Sequence, residues 1–116
     1  MPMSETDEII APRRTISYVL PVYNEEENIG AFHAALIEAT SQRGGFDFEF
    51  VYVDDGSRDD SLARLLDLRA NDDRVTVLSF SRNFGHQIAV TAGLDACADS
   101  AAVIVMDTDL QDPPRV

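Results

Sequence analysis

Four short apolar segments alternate along this chain with three segments whose apolar residues recur every three or four positions. Short apolar runs predict buried strands, and the three- and four-residue spacing predicts helices that bury one face. Strands that alternate with helices are typical of a parallel sheet with right-handed crossovers. The sequence therefore predicts the α/β class, with a Rossmann-like parallel sheet and the element order βαβαβαβ. The predicted strands are residues 15–20, 48–53, 75–79 and 101–106, the first of them stopped by Pro21, and the predicted helices are residues 26–41, 59–70 and 85–98.

The length and composition fit one soluble globular domain. The chain has 116 residues, of which 45% are hydrophobic and 26% are charged. Residues 1–14 are polar and acidic, which predicts a disordered leader rather than a signal peptide, and no apolar run approaches the length of a membrane span. Residues 15–116 are predicted to form the ordered part. Because a sheet that stops after its fourth strand leaves half of a binding crevice unbuilt, we expect this part to be the N-terminal piece of a longer protein.

Two aspartates follow directly on the fourth predicted strand. Asp107 and Asp109 flank Thr108, and because side chains alternate along an extended chain, both carboxylates face the same way. In open α/β sheets, ligands bind beyond the carboxyl ends of the strands, where this pair is expected. Two facing carboxylates repel each other unless a cation lies between them, and oxygen ligands suit Mg²⁺ or Mn²⁺. The pair predicts a metal ion that bridges the protein to a phosphorylated ligand, although two solvated acids at a strand end have the same pattern.

The charge of the chain limits the classes of partner and reaction. The formal net charge is -12 at pH 7, and all nine basic residues are arginine. This acidity argues against nucleic acid and anionic membrane surfaces as direct partners. The absence of lysine excludes a Schiff base or a P-loop lysine within the chain, and disfavours a phosphoacceptor receiver domain. Because no G-x-G-x-x-G sequence occurs, NAD or FAD binding is not expected.

Other polar residues follow the second and third predicted strands. Asp54 and Asp55 lie where an acid can accept hydrogen bonds from ribose hydroxyls, although Asp-Gly-Ser is also a good turn sequence. Arg82 could bind a phosphate, but a solvated arginine is the commoner outcome. His86 could transfer protons, but a capping or surface histidine is the commoner case. Cys97 lies in an apolar helical stretch and predicts a free, buried thiol.

Taken together, these motifs resemble those of a known enzyme family. Leu20–Glu25 (LPVYNE), Val53–Ser57 (VDDGS) and Asp107–Asp109 (DTD) are similar to segments of family 2 glycosyltransferases of the GT-A fold. Ser81–Gly85 (SRNFG) and Leu110–Pro114 (LQDPP) narrow the resemblance to the polyprenyl-phosphate glycosyltransferases, the group of dolichol-phosphate mannose synthase and bactoprenol glucosyltransferase. The resemblance implies the N-terminal, nucleotide-sugar-binding half of a GT-A fold, without the acceptor-binding half.

The resemblance also implies roles for individual residues. Asp107, Asp109 and Gln111 would hold Mg²⁺ or Mn²⁺ on the diphosphate of the donor. The catalytic residues are expected beyond Val116. Thr108 stands where the family often has Ala or Val, and this departure does not touch the expected chemistry. The residues implied to bind the nucleotide sugar are Pro21, Tyr23, Glu25, Val53, Asp54, Asp55, Arg82 and Thr108.

The implied reaction is inverting, metal-dependent transfer of a sugar from a nucleotide diphosphate, with a UDP-sugar favoured, to a polyprenyl phosphate lipid. The full-length protein is expected at the cytoplasmic face of the membrane, and this chain is expected to be soluble and inactive by itself. Two alternatives stay open: a family 2 transferase with a soluble or protein acceptor, and a non-catalytic nucleotide-binding fragment. Because a truncated sheet exposes apolar surface, self-association is a further expectation.

Overall fold

The computed structural model describes residues 14–108, which form a parallel four-stranded sheet with three helices. The order of the strands across the sheet is β3-β2-β1-β4, so β1 pairs with β2 on one side and with β4 on the other. The predicted α/β class, the parallel sheet and the element order are confirmed. The strands are β1 (Arg14–Val22), β2 (Phe46–Asp54), β3 (Val75–Ser79) and β4 (Ala102–Val105), and the helices are α1 (Ile29–Thr40), α2 (Ser61–Asn71) and α3 (His86–Asp95).

The first strand is longer than the sequence predicted. It begins at Arg14, inside the predicted leader, and runs through Pro21, which was expected to stop it. The Val19 carbonyl accepts a hydrogen bond from the Met106 N–H at 3.0 Å, so the backbone polar groups of Val19 point toward β4. Backbone direction alternates along a strand, so Pro21, two residues later, also directs its backbone toward β4. Because β4 has ended at that level, the missing N–H of Pro21 leaves no ladder bond unmade. The rest of the predicted leader lies outside the described residues.

The core lies on both faces of the sheet. Alternate residues of β1 and β2 point to opposite faces, as the strand geometry requires. Tyr18, Leu20, Phe50 and Tyr52 pack under α1 and α2 in one buried cluster. The other face buries a smaller cluster under α3, with Val19, Val51, Val53, Ala89 and Cys97. Cys97 is a buried free thiol, as predicted.

Helix α3 lies close to the sheet because it carries a glycine at the contact. A β-carbon at Gly93 would overlap the side chain of Val19. Gly93 therefore allows α3 to pack closely against β1. None of the helices within residues 14–108 is both long and apolar enough to cross a membrane.

A buried polar network joins the first helix to the sheet and to the end of α2. The His33 ring lies 2.7 Å from the Tyr52 hydroxyl through Nδ1 and 3.1 Å from an Asp72 carboxylate oxygen through Nε2. Asp72 in turn accepts two hydrogen bonds from the Arg74 guanidinium, each 2.9 Å long. His33 could not be identified from the sequence, because a histidine on the apolar face of a helix gives no signal of its own. The network satisfies the buried polar groups on this side of the molecule.

Candidate functional site

A pocket of about 250 Å³ opens at the carboxyl edge of the sheet. It collects residues from the ends of β1 and β4 and from the loops that follow β1, β2 and β3. This is the edge at which open α/β sheets bind their ligands. The residues that line it are Pro21, Val22, Tyr23, Glu25, Asp55, Asn83, Gly85, His86, Asp107 and Thr108.

Six of the eleven predicted site residues line this pocket. Five come from the predicted nucleotide-binding set, and Asp107 comes from the predicted metal ligands. Asp107 is exposed, and Tyr23 keeps 42% of its surface exposed. The structure therefore brings together residues that are up to 87 positions apart in the sequence. The five nucleotide-binding candidates in the lining are Pro21, Tyr23, Glu25, Asp55 and Thr108.

The other predicted residues lie elsewhere or outside the described part of the chain. The Val53 side chain is fully buried under α3, and Asp54 is buried with one carboxylate oxygen 3.3 Å from the Ser57 N–H. Arg82 is not in the pocket lining, and its guanidinium lies 4.7 Å from the centre of the Phe84 ring. Asp109 and Gln111 lie outside the described residues.

Four lining residues were not assigned to the site from the sequence. They are Val22, Asn83, Gly85 and His86. Three of them follow β3, which is the edge strand farthest from β4, and the sequence gives no strand order from which their approach could be inferred. The side chain of Asn83 and the position of His86 at a helix start were the available signals.

The loops after β1 and β2 are held together by reciprocal hydrogen bonds. We call residues 23–28 the first loop and residues 55–60 the second loop. The Asn24 N–H donates to the Ser57 hydroxyl at 2.9 Å, and the Asn24 side-chain oxygen accepts from the Arg58 N–H at 2.8 Å. Asn24 has a φ of 54°, a left-handed conformation that asparagine tolerates better than most residues. These bonds fix the first loop on the second.

A second reciprocal pair of hydrogen bonds joins the same two loops farther from the pocket. The Glu26 N–H donates to Asp59 at 3.3 Å, and the Glu26 carboxylate accepts from the Asp60 N–H at 2.8 Å. Burial opposes ionisation of Asp59, yet hydrogen bonds from Ser61 and from backbone N–H groups hold the pKa of Asp59 below its ordinary value. Helix α1 therefore begins at Ile29 rather than at residue 26, because Glu26 belongs to this loop contact.

The second loop also contacts the loop after β3, which we call the third loop (residues 80–85). The Asp55 carboxylate accepts hydrogen bonds from the Phe84 N–H at 2.8 Å and from the Gly85 N–H at 3.1 Å. The Asn83 side-chain amide donates to Asp55 as well, to the carboxylate at 3.2 Å and to the carbonyl at 3.1 Å. A β-carbon at Gly56, whose φ is +72°, would overlap the backbone of Arg82 and Asn83. The two loops are thus in direct backbone contact.

The pocket lining is acidic. Among residues 14–108, the lining contains the carboxylates of Glu25, Asp55 and Asp107 and no arginine. A phosphorylated ligand in such a pocket needs positive charge from another source, and a divalent cation held by carboxylates would supply it. Within residues 14–108, no group of three His, Cys, Asp or Glu side chains is arranged to hold a metal. Asp107, an exposed oxygen ligand, is the member of the predicted metal set that the structure describes, and its chemistry fits a hard cation.

A comparison with protein families identifies the chain. The model of the family described as Glycosyl transferase family 2 matches residues 17–116. The match includes β1 from Ser17 onward, the other three strands, the three loops and both aspartates of the predicted metal pair. It therefore covers nearly the whole sequence and every part of the pocket.

Curated relatives carry names of the same kind. An uncharacterized glycosyltransferase of Bacillus subtilis (strain 168), YkcC, is 47% identical over 86% of this chain and 30% of its own length. The bactoprenol glucosyl transferase of Shigella phage SfV is 44% identical over 87% of this chain and 32% of its own length. The undecaprenyl-phosphate 4-deoxy-4-formamido-L-arabinose transferase of Pseudomonas fluorescens (strain SBW25) is 38% identical over 90% of this chain and 30% of its own length. The chain spans about a third of the length of these relatives.

Proposed function

This chain belongs to glycosyl transferase family 2, and we propose that it forms the part of a sugar transferase that binds a nucleotide diphosphate sugar. Its parallel sheet and helices correspond to the N-terminal half of a GT-A fold. The donor would occupy the pocket at the carboxyl edge of the sheet. Tyr23 offers an exposed aromatic ring on which a base can pack. Pro21, Glu25 and Thr108 complete the wall on the side of β1 and β4.

One observation carries this proposal. Asp107, at the end of β4, lies in the same pocket as Tyr23 and Glu25, which follow β1. The pairing of β1 with β4 produces this proximity, since Val19 is opposite Val105. The carboxylate that we propose as a metal ligand and an aromatic ring thus line the same pocket, which supports a ligand that has both a diphosphate and a base.

The metal ion in this proposal is Mg²⁺ or Mn²⁺. Members of the family commonly use a divalent metal. Asp107 would hold it together with Asp109 and Gln111, which follow in the sequence. When bound, such an ion stabilises the negative charge that develops on the departing diphosphate. The acidic lining supports the proposal, because the described part of the chain places no arginine in the lining that could stabilise this charge instead.

The acceptor in this proposal is a polyprenyl phosphate, and the donor is a UDP-sugar. Two of the relatives are named for bactoprenol and for undecaprenyl phosphate, which supports a lipid phosphate. A phosphate acceptor is already an anion near neutral pH, so it needs little help from a general base. Attack of the acceptor phosphate on the sugar, from the face opposite the departing diphosphate, would invert the configuration of the sugar. We place the full-length protein at the cytoplasmic face of the membrane, where it would meet the lipid, and we expect this chain by itself to self-associate.

A transfer assay on the full-length protein tests the proposal. Radiolabelled UDP-glucose and GDP-mannose are each incubated with undecaprenyl phosphate in detergent and Mn²⁺, and label is measured in the lipid extract. We expect label from a UDP-sugar in the lipid, and at least about a hundredfold less with Asp107→Asn, because one metal ligand is lost. Asp73→Asn removes the same charge from an exposed site far from the pocket and serves as the matched control.

Three outcomes would contradict the proposal. Equal transfer by the unaltered protein and by Asp107→Asn would show that the pocket is not the donor site. Label in a water-soluble sugar or in protein, and none in lipid, would favour a family 2 transferase with another acceptor. Nucleotide binding without any transfer would favour a non-catalytic module.

A further inference from the structure

We infer that Asn24 is a positioning residue of the pocket. Its side chain and its left-handed backbone fix the first loop on the second, so that the residues on either side of it, Tyr23 and Glu25, both line the pocket. Asn24 itself is not in the pocket lining. The inference rests on the proposed function only in naming a nucleotide as the ligand, since the loop contact belongs to the protein without any ligand.

Asn24 continues the contact between β1 and β2 after the backbone ladder ends. The Asp55 N–H, one residue past the end of β2, donates to the Val22 carbonyl at 2.8 Å. Farther along, the Asn24 N–H donates to the Ser57 hydroxyl, and the Arg58 N–H donates to the Asn24 side-chain oxygen. The side chains of Asn24 and Ser57 thus provide the acceptors here, in place of the backbone carbonyls of a ladder.

The backbone conformation of Asn24 is the second support. Among residues 14–108, Asn24 is the one non-glycine residue with a positive φ, at 54°. Asparagine and aspartate enter this left-handed region more readily than other residues that carry a β-carbon. Such a conformation persists where the surrounding contacts hold it, and it is frequent at ligand sites. The two hydrogen bonds to the second loop are the contacts that hold it in this protein.

The residue after Asn24 is held by the segment that follows the second loop. The Glu25 N–H donates to the Ser61 hydroxyl at 2.8 Å, and Ser61, the first residue of α2, is fully buried. The Glu25 carboxylate accepts from the Asn28 side-chain amide, also at 2.8 Å. The first loop is therefore fastened at two successive N–H groups, those of Asn24 and Glu25, before any ligand binds.

An ordered first loop matters for a ligand that packs on Tyr23. The Tyr23 ring is exposed, so its position depends more on the backbone that carries it than on packing around the ring. A pocket wall that is ordered in advance lowers the entropy that is lost on binding. Loss of the Asn24 side chain should therefore weaken binding through Tyr23, although Asn24 does not touch the ligand.

Amide hydrogen exchange of the chain without nucleotide tests this inference. Asn24→Gly keeps the left-handed conformation and removes the acceptor oxygen, whereas Asn24→Asp keeps both. In Asn24→Gly we expect the Arg58 and Glu25 amides to exchange at least about tenfold faster than in the unaltered chain, and in Asn24→Asp we expect both to stay protected. The Glu25 amide is the decisive one, because its acceptor is Ser61 and not Asn24.

The outcomes separate positioning from a purely local contact. Protection of the Val51 and Val53 amides in β2 reports that a variant is folded. A faster Arg58 amide with an unchanged Glu25 amide in Asn24→Gly would overturn the inference, because Asn24 would then hold only its own hydrogen bond. Equal loss of protection in Asn24→Asp and Asn24→Gly would overturn it as well. Unprotected Arg58 and Glu25 amides in the unaltered chain would do the same, whether or not any variant folds.

Titration with UDP and Mn²⁺, in a cycle with Tyr23→Ala, gives the second readout. We expect Asn24→Gly to weaken UDP binding about tenfold when Tyr23 is present, and about threefold or less in the Tyr23→Ala background, because the two changes remove the same contact. An equal loss in both backgrounds would overturn the inference, since Asn24 would then not act through Tyr23. Failure of the unaltered chain to bind UDP would contradict the proposed function, and the exchange of Glu25 without ligand would still decide this inference.

Discussion

The Thr108 hydroxyl donates a hydrogen bond to the Pro21 carbonyl at 3.2 Å, across the end of the sheet where β4 has already stopped. Thr108 is 2% exposed, so this bond is made inside the protein. It connects the strand that carries Asp107 to the strand that leads into the first loop. The contact extends the pairing of β1 and β4 by a side chain, at the position where Pro21 offers no N–H.

Replacing Thr108 by valine should therefore destabilise the protein. Valine keeps the shape of the threonine side chain, but the Pro21 carbonyl loses the Thr108 hydroxyl as its hydrogen-bond donor. This loss should lower the free energy of unfolding by about 1–2 kcal/mol. Urea denaturation followed by circular dichroism measures this change. Thr91→Val is the matched control, because the exposed Thr91 hydroxyl donates only to the Gln87 carbonyl of its own helix. An equal loss in both variants would contradict a special role for the Thr108 bond.

Replacing Gly56 by alanine should displace the second loop from the third. The positive φ and the overlap with the Arg82 and Asn83 backbone should together cost at least about 2 kcal/mol of stability. The free energy of unfolding of the variant gives the result. Gly44→Ala is the control, since a β-carbon at Gly44 meets nothing within 4 Å. If Gly56→Ala were as stable as Gly44→Ala, the close approach of the two loops would be wrong.

Stability at acidic pH should depend on Asp72. Hydrogen bonds from Arg74 hold the pKa of Asp72 well below its ordinary value of 3.8, against the opposing effect of burial, and His33 adds to the lowering. Because the folded pKa is lower than the unfolded one, the stabilisation is fully present above about pH 4 and is lost as the pH falls from there toward the folded value.

The test compares unfolding free energies at pH 6 and pH 3. We expect Asp72→Asn to be less stable than the unaltered chain at pH 6 and to lose less stability between the two pH values. Asp73→Asn, at the exposed neighbouring position, should keep the acid dependence of the unaltered chain. A steep acid dependence that persists in Asp72→Asn would assign the effect to other carboxylates.

The outer edge of β4 should promote association of the isolated chain. Ile104, Val105 and Met106 are exposed, and β4 is the edge strand of the described sheet. Gel filtration with light scattering should show species larger than a monomer, and Val105→Lys should reduce them because a charge on an edge strand opposes pairing. A clean monomer at high concentration would refute this expectation.

Much of the fold could be predicted from local sequence patterns. The apolar runs of β1 to β4 and the spacing in the helices gave the correct class and order, because each element buries residues at its own period. The extent of β1 could not be predicted, since it depends on where β4 ends beside Pro21. The strand order is a tertiary property, so the amide side chain of Asn83 and the position of His86 at a helix start were the available signals of their approach to the pocket.

The candidate site was predictable in position but less so in the roles of its residues. Acids at strand ends indicate the functional edge of a parallel sheet, and Asp107 and Tyr23 do meet there. The sequence cannot tell an acid that faces a ligand from one that faces a backbone N–H. Asp55 lines the pocket and also accepts hydrogen bonds from the Phe84 and Gly85 N–H groups, and Arg82 packs on Phe84 outside the pocket lining.

We propose that this pocket binds a nucleotide diphosphate through a metal ion at Asp107. Calorimetric titration of the chain with UDP and with GDP, each with and without Mn²⁺, tests it most directly. We predict that UDP binds at least about tenfold more tightly with Mn²⁺ than without it, and that Asp107→Asn abolishes the difference while Asp73→Asn preserves it. Binding of neither nucleotide in the presence of Mn²⁺, or the same Mn²⁺-dependent affinity in Asp107→Asn, would contradict the account.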